Sequence, residues 1–263
     1  MSPTLFRSTA LAAPLFTLGV LMGILATITP SSRAADFAVS PMIIEFQRGV
    51  RSAEIQVRNL DQQPIRFQIR GTDWSQDASG KNNYTDSKSL IWFPRAIELA
   101  PGESRIIRVG VRAMPASKEQ AYTVFLTEVP VGEWQGGTKG GAQIRLLLSV
   151  SVPVFVPPAK PNPGGAVESA ELRGGQLSVV IANGGNRHFS YREAVIIGLD
   201  SGGAARFTHK VQGRTLLSGS RQDFTVRVPE DACRQLTELT LTLITSEKPE
   251  IKHRLDVSRA DCE

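Results

Sequence analysis

Residues Ile144 to Val156 constrain the fold more than any other stretch. Ile144, Leu146, Leu148, Val150, Val152, Val154 and Val156 alternate with Arg145, Leu147, Ser149, Ser151, Pro153 and Phe155. A period of two is the signature of a β-strand. One face of that strand is wholly apolar over about 13 residues, longer than a usual strand. Pro153 has no N–H to give a neighbour, which places the strand at a sheet edge. A long apolar edge invites aggregation, and only Pro153 and Arg145 blunt this one. Two readings follow. The apolar face fills its own domain core, or its first part is offered to a partner that adds a strand there. On the second reading, filling four pockets gives a gross gain of about 6–12 kcal/mol, reduced by ordering and association.

The rest of the chain reads as strand after strand. Ile65, Phe67 and Ile69 alternate with Arg66, Gln68 and Arg70. Asp77 to Asn83 reads as a polar loop, and Leu90 to Leu99 as an apolar stretch interrupted by Pro94. Ile106–Val111 and Tyr122–Val129 are further strands. A second series comprises Leu177–Ala182, Ala194–Leu199, Phe224–Val228, Leu239–Ile244 and Ile251–Val257. Turns such as Asn183-Gly184-Gly185 separate them. Short strands at this spacing predict β-sandwiches rather than a βαβ sheet. Pro157 to Gly165 is rich in proline and glycine and reads as a stiff linker. The expected organisation is a signal peptide over 1–34, a first domain over 35–157, a linker over 158–165 and a second domain over 166–263.

The signal peptide rests on Arg7, the apolar run Leu11 to Ile28, and Ser32-Arg33-Ala34, which favours cleavage after Ala34. An uncleaved anchor is the competing reading, because the run is near spanning length. The chain has 30 Lys and Arg against 25 Asp and Glu, a net charge of +5. Cleavage would remove Arg7 and Arg33 and weaken that bias. The basic residues are spread along the chain, which implies no nucleic-acid groove.

Cys233 and Cys262 are the two cysteines. In an oxidising compartment they read as one disulfide, which in the chain-entropy picture stabilises by roughly 3–4 kcal/mol. Two buried thiols are the alternative. Zinc is disfavoured because His253 is the one histidine near either cysteine in sequence.

Catalytic signals are poor. His188, His209 and His253 lie in different segments, and no Gly-x-Ser-x-Gly occurs. Gly136 to Gly141 lacks the Gly-Lys-Ser/Thr order of a phosphate loop. The residues point to no enzyme, no cofactor and no metal.

Four stretches carry a resemblance to a known family. They are Leu90-Ile91-Trp92-Phe93-Pro94-Arg95-Ala96-Ile97-Glu98-Leu99-Ala100-Pro101-Gly102, then Ile106-Ile107-Arg108-Val109, then Tyr122 to Pro130, then Val152-Pro153-Val154-Phe155-Val156-Pro157. In this order the chain resembles the PapD-like periplasmic chaperones of the chaperone–usher pathway. Trp74-Ser75-Gln76 is similar to the archaic branch. The resemblance implies two immunoglobulin-like domains. It also implies a strand lent to an incomplete pilus subunit, with Ile144, Leu146, Leu148 and Val150 as donor positions, and delivery to an outer-membrane usher. Family members clamp the subunit's terminal carboxylate with a basic pair. The matching positions here are Ile44 or Glu45, and Pro153 or Ser151, none of them basic. Arg95, Arg48 and Arg145 are the nearest candidates by sequence.

The expected function is that of a periplasmic, non-enzymatic pilus-subunit chaperone, with no stable membrane insertion after cleavage. A structural pilus or adhesin subunit and a carbohydrate-binding module using Trp74, Trp92 or Trp134 are the alternatives.

Overall fold

The computed structural model describes residues 36–77, 79–131, 146–245 and 250–263. They build two β-sandwiches, each with its own apolar core.

The first sandwich contains β1 (Phe37–Ser40), β2 (Ile44–Glu45), β3 (Ser52–Asn59), β4 (Ile65–Gln76), β5 (Asn82–Asp86), β6 (Leu90–Phe93), β7 (Ala96–Leu99), β8 (Ser104–Val111), β9 (Gln120–Val129) and β10 (Ser149–Val156). One sheet has the order β1-β3-β8-β6; the other runs β2-β10-β9-β4-β5, with β7 also on β4. Alternate residues Ile55 and Val57, Phe67 and Ile69, Ile107 and Val109, Val124 and Leu126, and Val152, Val154 and Val156 meet between the sheets. Alternation with turn residues between strands suffices to make such faces, since successive side chains point to opposite sides.

Three sequence expectations change. The apolar stretch Leu90–Leu99 is two strands in different sheets, β6 on β8 and β7 on β4, with Pro94 at the switch. The polar loop is shorter than its composition implies, because Asn82 and Asn83 already pair with Gln76 and Ser75 in the β4–β5 ladder. The long strand beginning at Ile144 starts as regular strand only at Ser149; Ile144 and Arg145 lie outside the described residues.

The second sandwich contains β11 (Gly165–Arg173), β12 (Gln176–Asn183), β13 (Phe189–Leu199), β14 (Ala205–Gln212), β15 (Thr215–Leu216), β16 (Arg221–Arg227), the one-turn helix α1 (Glu230–Cys233), β17 (Glu238–Thr245), β18 (Ile251–Asp256) and a 3-10 turn, Arg259–Cys262. Its sheets have the orders β11-β12-β16 and β14-β13-β17-β18, with β15 on β13. Cys233 and Cys262 form a disulfide, so their sulfurs hold no metal. The bond ties α1 to the final turn, whose Asp261 carbonyl accepts the Gly175 N–H. Asp261 is held below the usual carboxylate range, chiefly by the hydrogen bond from the Ser258 hydroxyl and then by the Ser258 N–H.

The two sandwiches share a device. Asn59 ends β3, and its Nδ2 donates to the Gln63 and Leu99 carbonyls at 2.8 and 3.1 Å while its Oδ1 accepts the Asp61 N–H. Asn183 ends β12, and its Nδ2 donates to the Arg187 and Leu216 carbonyls at 2.8 and 3.0 Å while its Oδ1 accepts the Gly185 N–H. Each buried carboxamide thus replaces the strand ladder where the chain turns away, satisfying backbone groups that would otherwise be orphaned.

The sandwiches meet through hydrogen bonds. The Gln76 carboxamide donates to the Thr215 carbonyl and accepts the Leu217 N–H. Asn186 donates to the Ser117 and Lys160 carbonyls, each at 2.9 Å, and its own carbonyl accepts the Glu119 N–H.

Two outcomes follow. Gly71 lies under Trp92, where an added Cβ would come within 2.6 Å of the indole. Gly71→Ala should destabilise the first sandwich by about 1–3 kcal/mol through overpacking, read as a lower urea midpoint with the slope unchanged. Asn59→Ala leaves the buried Leu99 carbonyl without its side-chain donor and should cost about 1–3 kcal/mol in the same measurement.

Candidate functional site

The site begins with the hydrogen-bonding of β10. Along its whole length, Ser149 to Val156, β10 pairs antiparallel with β9, from Thr127 to Gln120. On its other flank it pairs, in parallel, only with β2, through Val154 with Ile44 and Phe155 with Glu45. The Phe155 carbonyl accepts the Phe46 N–H at 2.9 Å on that flank. On the β9 side, the Leu148 carbonyl accepts the Glu128 N–H at 2.8 Å. Backbone groups alternate sides along a strand, so even-numbered residues serve β9 and odd-numbered ones face the other flank. Ser149 and Ser151 therefore direct their N–H and C=O groups to an edge that no strand among the described residues covers. Pro153 stands where that open edge meets β2, and its missing N–H is on the open flank, the position where a strand tolerates proline.

The side chains divide the candidate donor positions. Val152, Val154 and Val156 are sealed in the first core, and Val150 is partly buried against it. Leu146 and Leu148 lie outside that core, 67% and 36% exposed, with Leu147 between them at 47%. The Leu148 N–H donates to the buried Glu128 carboxylate at 3.3 Å. The alternating face thus runs out of the domain's interior between Val150 and Leu148. Ile144 lies outside the described residues.

The opposite end of the edge opens into a cleft of ≈ 530 Å³ between the sandwiches, lined among others by Ile43, Glu45, Pro153, Arg187, His188 and Ile251. The His188 ring stacks on Phe155, 3.7 Å between centroids. Its Nδ1 meets the Glu119 carboxylate at 2.8 Å, and the same carboxylate oxygen accepts the His188 N–H at 2.6 Å. Glu119 is almost fully covered there, its side chain 4% exposed. The Arg187 guanidinium lies 3.4 Å from Glu45, and His188 Nε2 lies 3.6 Å from the same carboxylate group. Arg187 and His188 come from the loop that Asn183 holds by the Arg187 carbonyl.

Neither of the basic candidates that can be placed lines this cleft. Arg95 sits over the Trp92 ring at 3.6 Å. Its carbonyl accepts the Ile69 N–H of β4, on the flank of β4 that carries β7, so β4 and β9 separate it from β10. At about 4.8 Å per strand, that is roughly 14 Å from the open edge. Arg48 lies in the exposed turn that leaves β2. Arg145 is outside the described residues. Sequence alone assigns neither Arg187 nor His188 to this site: Asn183-Gly184-Gly185 before them reads as a turn, His188 counts there only as one of three scattered histidines, and nothing local signals that they meet Glu45 and Glu119. Among the described residues no group of His, Cys, Asp or Glu is placed to hold a metal ion, and no helix is long and apolar enough to cross a membrane.

Residues 36–162 match the family model of the pili and flagellar-assembly chaperone, PapD N-terminal domain. No curated protein sequence matches the chain. In fold, the chain is similar to the CsuC–CsuE chaperone–tip adhesion subunit complex of the archaic Csu pili of Acinetobacter baumannii. There the TM-score is 0.50, with 19% identity over 73% of this chain and 91% of that one. It is also similar to the class 5 fimbriae chaperone CfaA, with TM-score 0.52 and 15% identity over 85% of this chain and 99% of that one. A third likeness is to the Salmonella enterica SafA pilin–SafB chaperone complex, with TM-score 0.52 and 14% identity over 86% and 99%. At these identities the likeness is one of fold, and it extends through the second sandwich. The first sandwich is thus a PapD N-terminal domain of the pili and flagellar-assembly chaperone family, and the two sandwiches together have the fold of the pilus chaperones.

Proposed function

We propose that this chaperone works in the periplasm by lending the open edge of β10 to an incomplete pilus subunit and passing that subunit to an outer-membrane usher. The observation that carries the reading is the split apolar face: Val152, Val154 and Val156 complete the protein's own core, while Leu146 and Leu148 continue the same alternation outside it. A guest lacking one strand gains on two accounts. Its exposed backbone pairs with Ser149, Ser151 and the residues before them, and alternate side chains enter its unfinished core. Leu146, Leu148 and, upstream, Ile144 are the donor side chains. Val150, partly committed to the chaperone's own core, contributes least. Each fully buried leucine is worth about 1.5–3 kcal/mol before ordering and association costs. A chain lent in this way also caps the guest's sticky edge and so stops premature polymerisation. The structural neighbours that hold a pilin or a tip adhesion subunit support a pilus subunit as the guest. Residues 1–34 are read as the signal peptide that brings the chain to this compartment.

Two measurements test the reading. Co-expressed with candidate pilus subunits from the same genome, the protein should co-purify with at least one of them. The Leu146→Glu, Leu148→Glu double variant should lose that complex while keeping its own melting temperature, and Ile106→Glu, on the outer face of the other sheet, should keep it. A soluble complex with the double variant would overturn strand lending. Export should remove residues 1–34, so that the mass of the periplasmic product corresponds to a chain starting at Ala35; an uncleaved product would overturn that assignment.

A further inference from the structure

The inner faces of β10, β9 and β4 line up in rows. Val152 lies beside Val124, and Val124 beside Gly71; the next row is Val150, Leu126 and Ile69. Both rows are apolar. The third row breaks the pattern. The Leu148 carbonyl accepts the Glu128 N–H at 2.8 Å, Glu128 pairs in turn with Phe67, and Phe67 with Ile97. Phe67 and Ile97 are core residues, yet a carboxylate stands between them and Leu148. Glu128 is 6% exposed, no more than Ile97 in the same row, while Leu148 across from it is 36% exposed.

A carboxylate buried beside Phe67 is costly unless donors meet it. One donor is the Leu148 N–H at 3.3 Å, and the carboxylate has further contacts besides. A regular antiparallel rung at this place would exchange two backbone bonds. Only the Glu128 N–H keeps its backbone acceptor; the Leu148 N–H is turned to the side chain. Strand β9 does not end here, since Val129 still pairs with Arg66 of β4. The regular ladder therefore stops on the β10 side alone, at Ser149. Continuing the register sets Leu146 opposite Pro130, which has no N–H to restore the pairing upstream.

We propose that Glu128 is a positioning residue for strand lending: its carboxylate fills the last place in the inner row and draws off the Leu148 N–H, which keeps Leu146 and Leu148 out of the protein's own core and available to a guest. The proposal rests on the strand-lending reading above and adds the device that separates lent residues from retained ones. An apolar side chain at position 128 would complete the row. Leu148 would then follow Val150 inwards, and β10 would close one rung further onto β9. The buried charge is kept at some cost to stability, since apolar replacements of buried charged groups are often neutral or stabilising.

The test compares Glu128→Leu, which completes the row, with Glu128→Gln, which keeps an acceptor oxygen in the same place. Solvent access of the Leu148 methyl groups is read by NMR, as relaxation enhancement from a soluble gadolinium chelate, on the guest-free product of the full-length gene. Capture is read as the yield of the pilus subunit that co-purifies with the parent. Glu128→Leu should cut the methyl enhancement at least about twofold and the capture about tenfold or more, the effect of withholding one leucine from the guest's core. Its melting temperature should equal or exceed the parent's. Glu128→Gln should match the parent in both readings. If Glu128→Leu melts early, Glu128→Gln decides: parent-like readings uphold the role, and loss of either overturns it. In a folded Glu128→Leu, Leu148 methyl groups as accessible as in the parent, or undiminished capture, overturn the role of Glu128 and leave strand lending standing. If no subunit co-purifies with the parent, or the Leu146→Glu, Leu148→Glu variant keeps one, strand lending falls and this role falls with it.

Discussion

The unequal flanks of β10 decide the rest of the structure. One side is hydrogen-bonded to β9 over eight residues; the other is covered by β2 only at Val154 and Phe155. Backbone N–H and C=O groups need partners when water is excluded. The closed end can therefore bury Val152, Val154, Phe155 and Val156, while the open end at Ser149 and Ser151 stays near solvent. The same strand is thus core at one end and surface at the other. Proline at 153 marks the boundary, since it removes the one donor that would face the flank there.

That boundary lies at the junction of the two sandwiches, so the second sandwich bears on the edge as well. Phe155 carries the stacked His188 ring, and His188 is held by the covered Glu119 through both its ring and its N–H. Asn183 and Asn186 fix the loop that brings Arg187 and His188 to this place, and Gln76 fastens the tip of β4 to Thr215 and Leu217. Most of these contacts engage backbone groups, which constrains the junction more tightly than side-chain packing alone.

Much of the fold was legible in the residues. The alternations at Ile65–Ile69, Tyr122–Val129 and Leu177–Ala182 became strands because period two and intervening turns leave a half-buried ribbon no other regular form. The two cysteines pair, as their even count suggested. Composition misled at Asn82 and Asn83, where the β4–β5 ladder outweighs poor strand propensity. It was silent about the sheet switch between Leu90 and Leu99, because both halves alternate alike. The candidate site was half legible. Leu146 and Leu148 could be picked from their alternation, but so could Val150 and Val152, which the core takes in whole or in part.

From its sequence alone this chain was bound to be a run of β-strands with an apolar edge strand broken by a proline, since periodicity and the missing N–H are local properties. Where that strand stops being interior and starts being surface was decided by β2 crossing from the start of the domain to lie beside Phe155. Which basic group stands at the end of the edge was decided by the loop after Asn183, 142 residues from Glu45 along the chain at Arg187. Burial and charge pairing depend on which distant segments cover a residue, and no local pattern encodes that.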